Sequence, residues 1–293
     1  MAAVEFSHVS CSGAVCSCFL LAVAYVGSLY AWRSDLPRDH PTTVKRRFVG
    51  VLLVTLLAPL YLWLISKDSA DPQGPHLLQW LGLQTEGFLL ASTLPLLLTM
   101  LLFLGPIAMC LTDGSCYSPI TRGMMYIKYR YRDVLWLRNF IVVCAAPFTE
   151  EFVFRACMLP LLIPCLGPGL AVVVCPLFFG VAHIHHVFER LKTGDQSVKV
   201  IWMLTMFQFS YTTVFGAYTA FLFVRTGHLI GPYFCHAFCN EMGFPNFGDV
   251  FTGSKLRAVL LSVLYVAGLV LFLLFLWPAT QASLYSNTTY TWT

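Results

Sequence analysis

Residues 149–155, TEEFVFR, set two carboxylates and a guanidinium inside an apolar stretch, with IVVCAAPF before them and ACMLPLLIP after. An Asp, Lys or Arg at the centre of a membrane span costs roughly 2.5–3.5 kcal/mol, so such groups are usually paired or chemically used. Two other stretches break the apolar rule, FFGVAHIHH at 178–186 and CHAFCNEMGFPN at 235–246. Each of the three contains an i, i+4 pair: Glu151 with Arg155, Phe179 with His183, and His236 with Asn240. On a helix each pair shares one face. Glu151 ahead of Arg155 is the favourable order for an ion pair, and a structural role accounts for both. Glu150 is rotated away by about 100° and meets only Phe154 at i+4. Its burial carries desolvation and like-charge cost with no local compensation, a setting that suits a general base. A carboxylate with a histidine can orient and deprotonate a water. A histidine and an Asn amide can donate hydrogen bonds to the oxyanion of a tetrahedral intermediate. Together Glu150, His183, His236 and Asn240 point to peptide hydrolysis.

Other readings of the same residues stay open. The histidines could form a polar knot between helices. Cys239, three residues after His236, could act as a thiolate, although a cysteine in apolar surroundings is more often inert. Glu150, His183 and His236 are competent metal ligands, yet the HExxH pattern is missing and no metal or cofactor is expected. GxSxG is missing too. A proton-coupled transporter would also use intramembrane Glu, His and Arg, but it would usually show inverted repeats, and the halves of this chain are not self-similar. A non-catalytic scaffold is the last alternative. His185 and His186 read as interfacial residues at the end of their span.

The elements that must hold these groups follow from composition. Of 293 residues, 58% are hydrophobic and only 11% charged, with a mean hydropathy of +0.72. Such a chain cannot cover a water-facing surface, so it is an integral membrane protein. Apolar segments at about 12–32, 49–66, 87–111, 137–161, 169–187, 200–224, 229–246 and 258–277 predict an all-α polytopic protein with about eight spans. No separate soluble domain is evident, so residues 1–293 read as one unit. The net charge of +4 comes without a basic, aromatic-rich block, which argues against nucleic acid.

Loop charges predict the orientation. With the N-terminus outside the cytosol, the cytosolic loops carry Arg33, Arg38, Lys45, Arg46 and Arg47, then the basic residues from Arg122 to Arg138. Arg190, Lys192, Lys199, Lys255 and Arg257 follow. Lys67 and Arg225 alone fall in loops on the far side, as the positive-inside rule requires. The C-terminal tail then lies outside, where Asn287-Thr288-Thr289 forms a glycosylation sequon. The 11 cysteines show no metal-like spacing. Most, including Cys110, adjoin apolar runs and read as small hydrophobes rather than a disulfide framework.

The order EE-FVF-R, FGVAH and HAFCN over successive spans resembles the CAAX prenyl protease 2 family, the Ras-converting enzymes. That family belongs to a wider group of glutamate-type intramembrane proteases with EExxxR, FxxxH and HxxxN motifs. Words such as RACMLP, QFSYTTVFGAYTAFLF and GHLIGPYFCHAFCNEMGFP extend the likeness over roughly 135–246. The resemblance implies an intramembrane, cytosol-facing catalytic cavity built from that core. It implies Glu150 as the catalytic carboxylate, supported by Glu151 and Arg155. His183 would help activate the water, with Phe179 packed beside it, and His236 and Asn240 would bind the oxyanion. The implied substrates are farnesylated or geranylgeranylated CAAX proteins, such as Ras-type GTPases, which lose their last three residues at the endoplasmic reticulum membrane. Membrane lipid would hold the prenyl anchor. The oligomeric state is not legible.

Overall fold

In lipid a backbone must satisfy its own polar groups, which leaves helices as the solution for long apolar segments. The described residues are accordingly mostly helical. The computed structural model describes residues 2–32, 36, 40–113, 141–194 and 196–290. Arg33, Arg38 and the basic residues from Arg122 to Arg138 lie outside the described residues. The helices are α1 (Cys11–Ser28), α2 (Pro41–Ile65), α3 (Leu77–Trp80), α4 (Phe88–Leu102), α5 (Leu104–Thr112) and α6 (Ala146–Glu151). After them come α7 (Leu159–Ala182), α8 (His186–Thr193), α9 (Val198–Thr226), α10 (Ile230–Met242) and α11 (Lys255–Leu276). Two short strands, β1 (Val4–Glu5) and β2 (Lys67–Asp68), pair antiparallel.

Among the described residues, five helices are long and apolar enough to cross a membrane, or six if the bent pair α4–α5 counts as one. The expected eight spans are therefore not eight straight helices. The segment bearing Glu150 is cut into pieces by two π turns, and α10, which bears His236, has only 13 residues. Both are apolar enough to register as spans in the sequence, yet neither is one continuous membrane-length helix.

Prolines cause most of the breaks. The π turns Ile141–Ala145 and Phe152–Ala156 flank α6. Each contains the residue four positions before a proline, Val143 before Pro147 and Ala156 before Pro160. A proline has no N–H for that carbonyl, and its ring crowds it. Side chains compensate nearby, because Cys175 Sγ donates to the Phe154 carbonyl at 2.8 Å and Cys18 Sγ to that of Met158 at 3.8 Å. Pro106 likewise follows the 70° bend between α4 and α5. Inside α7, Gly167 takes φ 73°, ψ 162° and interrupts the helix.

The cysteine reading needs correction. Cys11 and Cys165 form a disulfide, with Cα atoms 5.3 Å apart across 154 residues of sequence, and Cys110 is also disulfide-bonded. Sequence spacing does not reveal connectivity over such a distance. The bridge ties the start of α1 to the turn at Gly167.

Contacts between the segments that link the helices fall at two ends of the assembly. At one end Trp80 Nε1 donates to the Val4 carbonyl at 2.8 Å, Gln84 Nε2 to that of Gly227 at 2.9 Å, and Asn287 Nδ2 to that of Val224 at 2.9 Å. The sequon nitrogen is thus engaged in the folded protein. At the other end Arg257 pairs with Asp113 at 2.7 Å, and the Arg47 guanidinium lies 5.5 Å from the Tyr30 ring.

Helices α7 and α9 cross through reciprocal glycines, the small-residue packing common between membrane helices. A Cβ on Gly180 would lie 2.2 Å from Thr213 Oγ1, and one on Gly216 would lie 3.0 Å from both Arg155 Nη2 and Pro176 Cβ. Overpacking of this kind costs about 1–3 kcal/mol. Gly216→Ala should therefore lower the unfolding temperature in detergent. An unchanged melting curve would show that the crossing has room to spare.

Candidate active site

Helix α6 carries Glu150 and Glu151 into the centre of the helix assembly, and the two carboxylates meet different surroundings. Glu151 is fully buried, whereas the Glu150 side chain is 21% exposed. Glu151 Oε2 lies 3.2 Å from Arg155 Nε, and its Oε1 accepts from His236 Nδ1 at 2.7 Å. His236 Nε2 faces Glu150 Oε2 at 3.6 Å. One imidazole therefore spans both carboxylates. The i, i+4 pairing of Glu151 with Arg155 survives although the helix widens into a π turn directly after Glu151.

Arg155 is fully buried. No acceptor among the described residues reaches its terminal nitrogens with hydrogen-bond geometry. Its guanidinium instead lies over the Phe179 ring, 4.3 Å from the centroid. Phe179 is a packing hub. Its ring meets Phe154 at 5.2 Å, His183 at 4.6 Å and His236 at 6.1 Å, each edge to face.

His183 follows the last residue of α7, one turn beyond Phe179. Its Nδ1 donates to the Phe179 carbonyl at 2.8 Å, which fixes the tautomer and leaves Nε2 to take up a proton. Asn240 follows His236 by one turn on α10. Glu150, His183, His236 and Asn240 all line one partly enclosed cavity of about 1640 Å³. The four proposed catalytic residues, drawn from three segments, are thus gathered in one place. Glu151 and Arg155 sit behind them.

Several lining residues carry no signal in the sequence. Tyr25 on α1 is buried, and its hydroxyl hydrogen-bonds Thr149 Oγ1 at 2.9 Å, next to Glu150. A single tyrosine in an apolar helix looks like any core aromatic. His185 and His186, read as interfacial, also line the cavity, as does Arg47 from α2. Cys239 lines it too. Among the described residues no three His, Cys, Asp or Glu side chains are grouped to hold a metal ion.

Known proteins share this arrangement of sequence. The profile of the family described as type II CAAX prenyl endopeptidase, Rce1-like, matches residues 132–242, the stretch that carries all three motifs. The chain is similar to CAAX prenyl protease 2 of Homo sapiens, 50% identical over 283 residues that cover 94% of this chain and 84% of that protein. The chain belongs to the type II CAAX prenyl endopeptidase family. Its likeness extends to CAAX prenyl protease 2 of Arabidopsis thaliana, 31% identical over 98% of this chain and 96% of that protein. CAAX prenyl protease 2 of Saccharomyces cerevisiae is 31% identical over 77% and 78%. No solved structure gives a significant match.

The unequal burial of the two glutamates separates stability from activity in this endopeptidase-family chain. Removing one partner of a buried ion pair leaves the other uncompensated, at a cost of about 3–5 kcal/mol. Glu151→Gln should lower the melting temperature sharply. Glu150→Gln should leave melting near wild type while abolishing peptide cleavage. Equal melting losses in the two variants would contradict the assignment of Glu151 as the structural partner.

Proposed function

We propose that this chain is an intramembrane CAAX prenyl endopeptidase that removes the last three residues from farnesylated or geranylgeranylated proteins, including small GTPases. The observation that carries the mechanism is a solvent-reached Glu150 gathered with His183, His236 and Asn240 around one membrane cavity. Glu150 and His183 Nε2 hold and deprotonate a water, and the hydroxide attacks the carbonyl of the prenylated cysteine. Asn240 Nδ2 and the His236 ring stabilise the oxyanion. The proton taken from water passes to the leaving amine, and the products are the prenylcysteine carboxylate and a free tripeptide. Glu151 holds His236 in register through Nδ1, and Phe179 holds the His183 ring. The cavity exceeds the roughly 300–1,000 Å³ of ordinary small-molecule pockets, as a lipidated peptide requires.

The prenyl chain brings the substrate to the bilayer and stays anchored in it while the peptide tail enters. The proposed location is the endoplasmic reticulum membrane with the cavity open to the cytosol.

Mass spectrometry of a farnesylated CAAX peptide incubated with the purified protein tests the reading. Loss of three residues is expected with wild type and with Cys239→Ala, and no loss with Glu150→Ala. Asn240→Ala should slow turnover by ~100-fold, the scale of a lost oxyanion donor. Cleavage at wild-type rate by Glu150→Ala, or its abolition by Cys239→Ala alone, would overturn the mechanism.

A further inference from the structure

We propose that Tyr25 is a positioning residue for Glu150, acting through its hydrogen bond to Thr149 at the adjacent position of α6. The proposal rests on the CAAX endopeptidase reading above and adds what holds the segment of the attacking carboxylate in place. Among the described residues no hydrogen bond fixes the Glu150 side chain, since His236 Nε2 stands 3.6 Å from its Oε2, beyond an ordinary hydrogen bond. The direction in which Glu150 points is therefore set by the backbone of α6. That helix has six residues and a π turn on each side, too short to hold itself through its own backbone ladder.

Helix α1 supplies the support. Cys11, Cys18 and Tyr25 follow one another at seven-residue steps, about two turns each, and so share one stripe of the helix. Each touches the chain between Thr149 and Cys165. Cys11 is bonded to Cys165, Cys18 Sγ donates to the Met158 carbonyl at 3.8 Å, and the Tyr25 hydroxyl meets Thr149 Oγ1 at 2.9 Å. The order of these contacts is antiparallel, and the π turn Phe152–Ala156 lies between the last two. Tyr25 is thus the member of the stripe that reaches past the irregular backbone to α6.

The hydrogen count gives this bond a direction. A threonine hydroxyl has one proton, and that of Thr149 goes to the Ala146 carbonyl at 3.0 Å. The Tyr25 hydroxyl is then the donor to Thr149 Oγ1. Both side chains are buried, where an unmade hydrogen bond leaves the desolvation cost of the group uncompensated. The Tyr25 ring has a separate task. It packs edge to face on Phe154 at 5.3 Å, and Phe154 packs on Phe179, which holds the His183 ring. Tyr25→Phe keeps that ring contact and removes only the donor.

Cleavage of a farnesylated CAAX peptide, with kcat and KM measured separately, tests the role in Tyr25→Phe, Thr149→Val and the double variant. Each single change should lower kcat about tenfold, the scale of one hydrogen bond, with KM little changed. The double variant should be no slower than either single one, because both changes remove the same contact. Thr149→Ser keeps the acceptor and should restore most of the kcat lost in Thr149→Val. A wild-type kcat in Tyr25→Phe would overturn the role, even with a lowered melting temperature, and so would losses that multiply in the double variant. Should Tyr25→Phe fail to fold, equal kcat in Thr149→Ser and Thr149→Val would overturn it instead. Failure of wild type to cleave the peptide would overturn the endopeptidase reading, and the positioning role with it.

Discussion

The site depends on a buried chain of charge that runs from Arg155 through Glu151 to His236. Taking an ion out of water costs several kcal/mol even after relaxation, so each member must be compensated by its neighbours. Glu151 spends one oxygen on Arg155 at 3.2 Å and the other on His236 at 2.7 Å. Arg155 gains the face of Phe179 at 4.3 Å, an interaction worth about 2 kcal/mol or more when desolvated. Phe179 in turn packs on His183 and His236. The two histidines are therefore held by the same assembly that makes the buried arginine tolerable. Removal of any one of these side chains would disturb geometry at its neighbours in the chain.

That assembly needs an irregular backbone. A straight α-helix would be easier to insert in a membrane, but the Glu150 segment is widened by π turns on both sides of α6. Such turns recur at functional sites, and here the local cause is visible in Pro147 and Pro160. The cost of the interrupted ladder is met by neighbouring helices, since thiols on α1 and α7 reach its carbonyls. Irregular backbone at membrane depth is tolerated where protein surrounds it or where it lines a cavity, and both conditions hold here. The cysteines thus act as hydrogen-bond donors and, in Cys11 and Cys165, as a cross-link, and not only as small hydrophobes.

Much of the site was legible from spacing. Glu151 and Arg155 at i, i+4 do pair, and Glu150 does face elsewhere, because adjacent residues on any helix diverge by roughly a quarter turn. The division of the loops between two ends of the helix assembly was also legible, since charge marks it locally. What was not legible depended on three-dimensional neighbours. Nothing in the spacing of His236 shows that its ring bridges both carboxylates, because that contact joins α10 to α6. Tyr25 and the disulfide were hidden for the same reason, their partners lying 124 and 154 residues away. Hydropathy expected about eight spans, whereas among the described residues five or six helices are long and apolar enough. It could not tell a continuous span from one broken by proline, because both have the same composition.

Adjacent glutamates with unlike surroundings solve a problem that a single carboxylate would not. A group that must exchange protons with water needs access to the cavity, and access weakens its value as a fixed counter-charge for a buried arginine. A group that anchors such an arginine must be sealed, and sealing removes it from catalysis. Under the proposed mechanism, the two roles fall on neighbouring positions of α6, with His236 as the link. Its Nδ1 is held by the sealed carboxylate and its Nε2 faces the open one, so the buried ion pair sets the orientation of the ring towards Glu150. The charge that the apolar sequence should have excluded is therefore divided, and only its exposed half reaches the cavity.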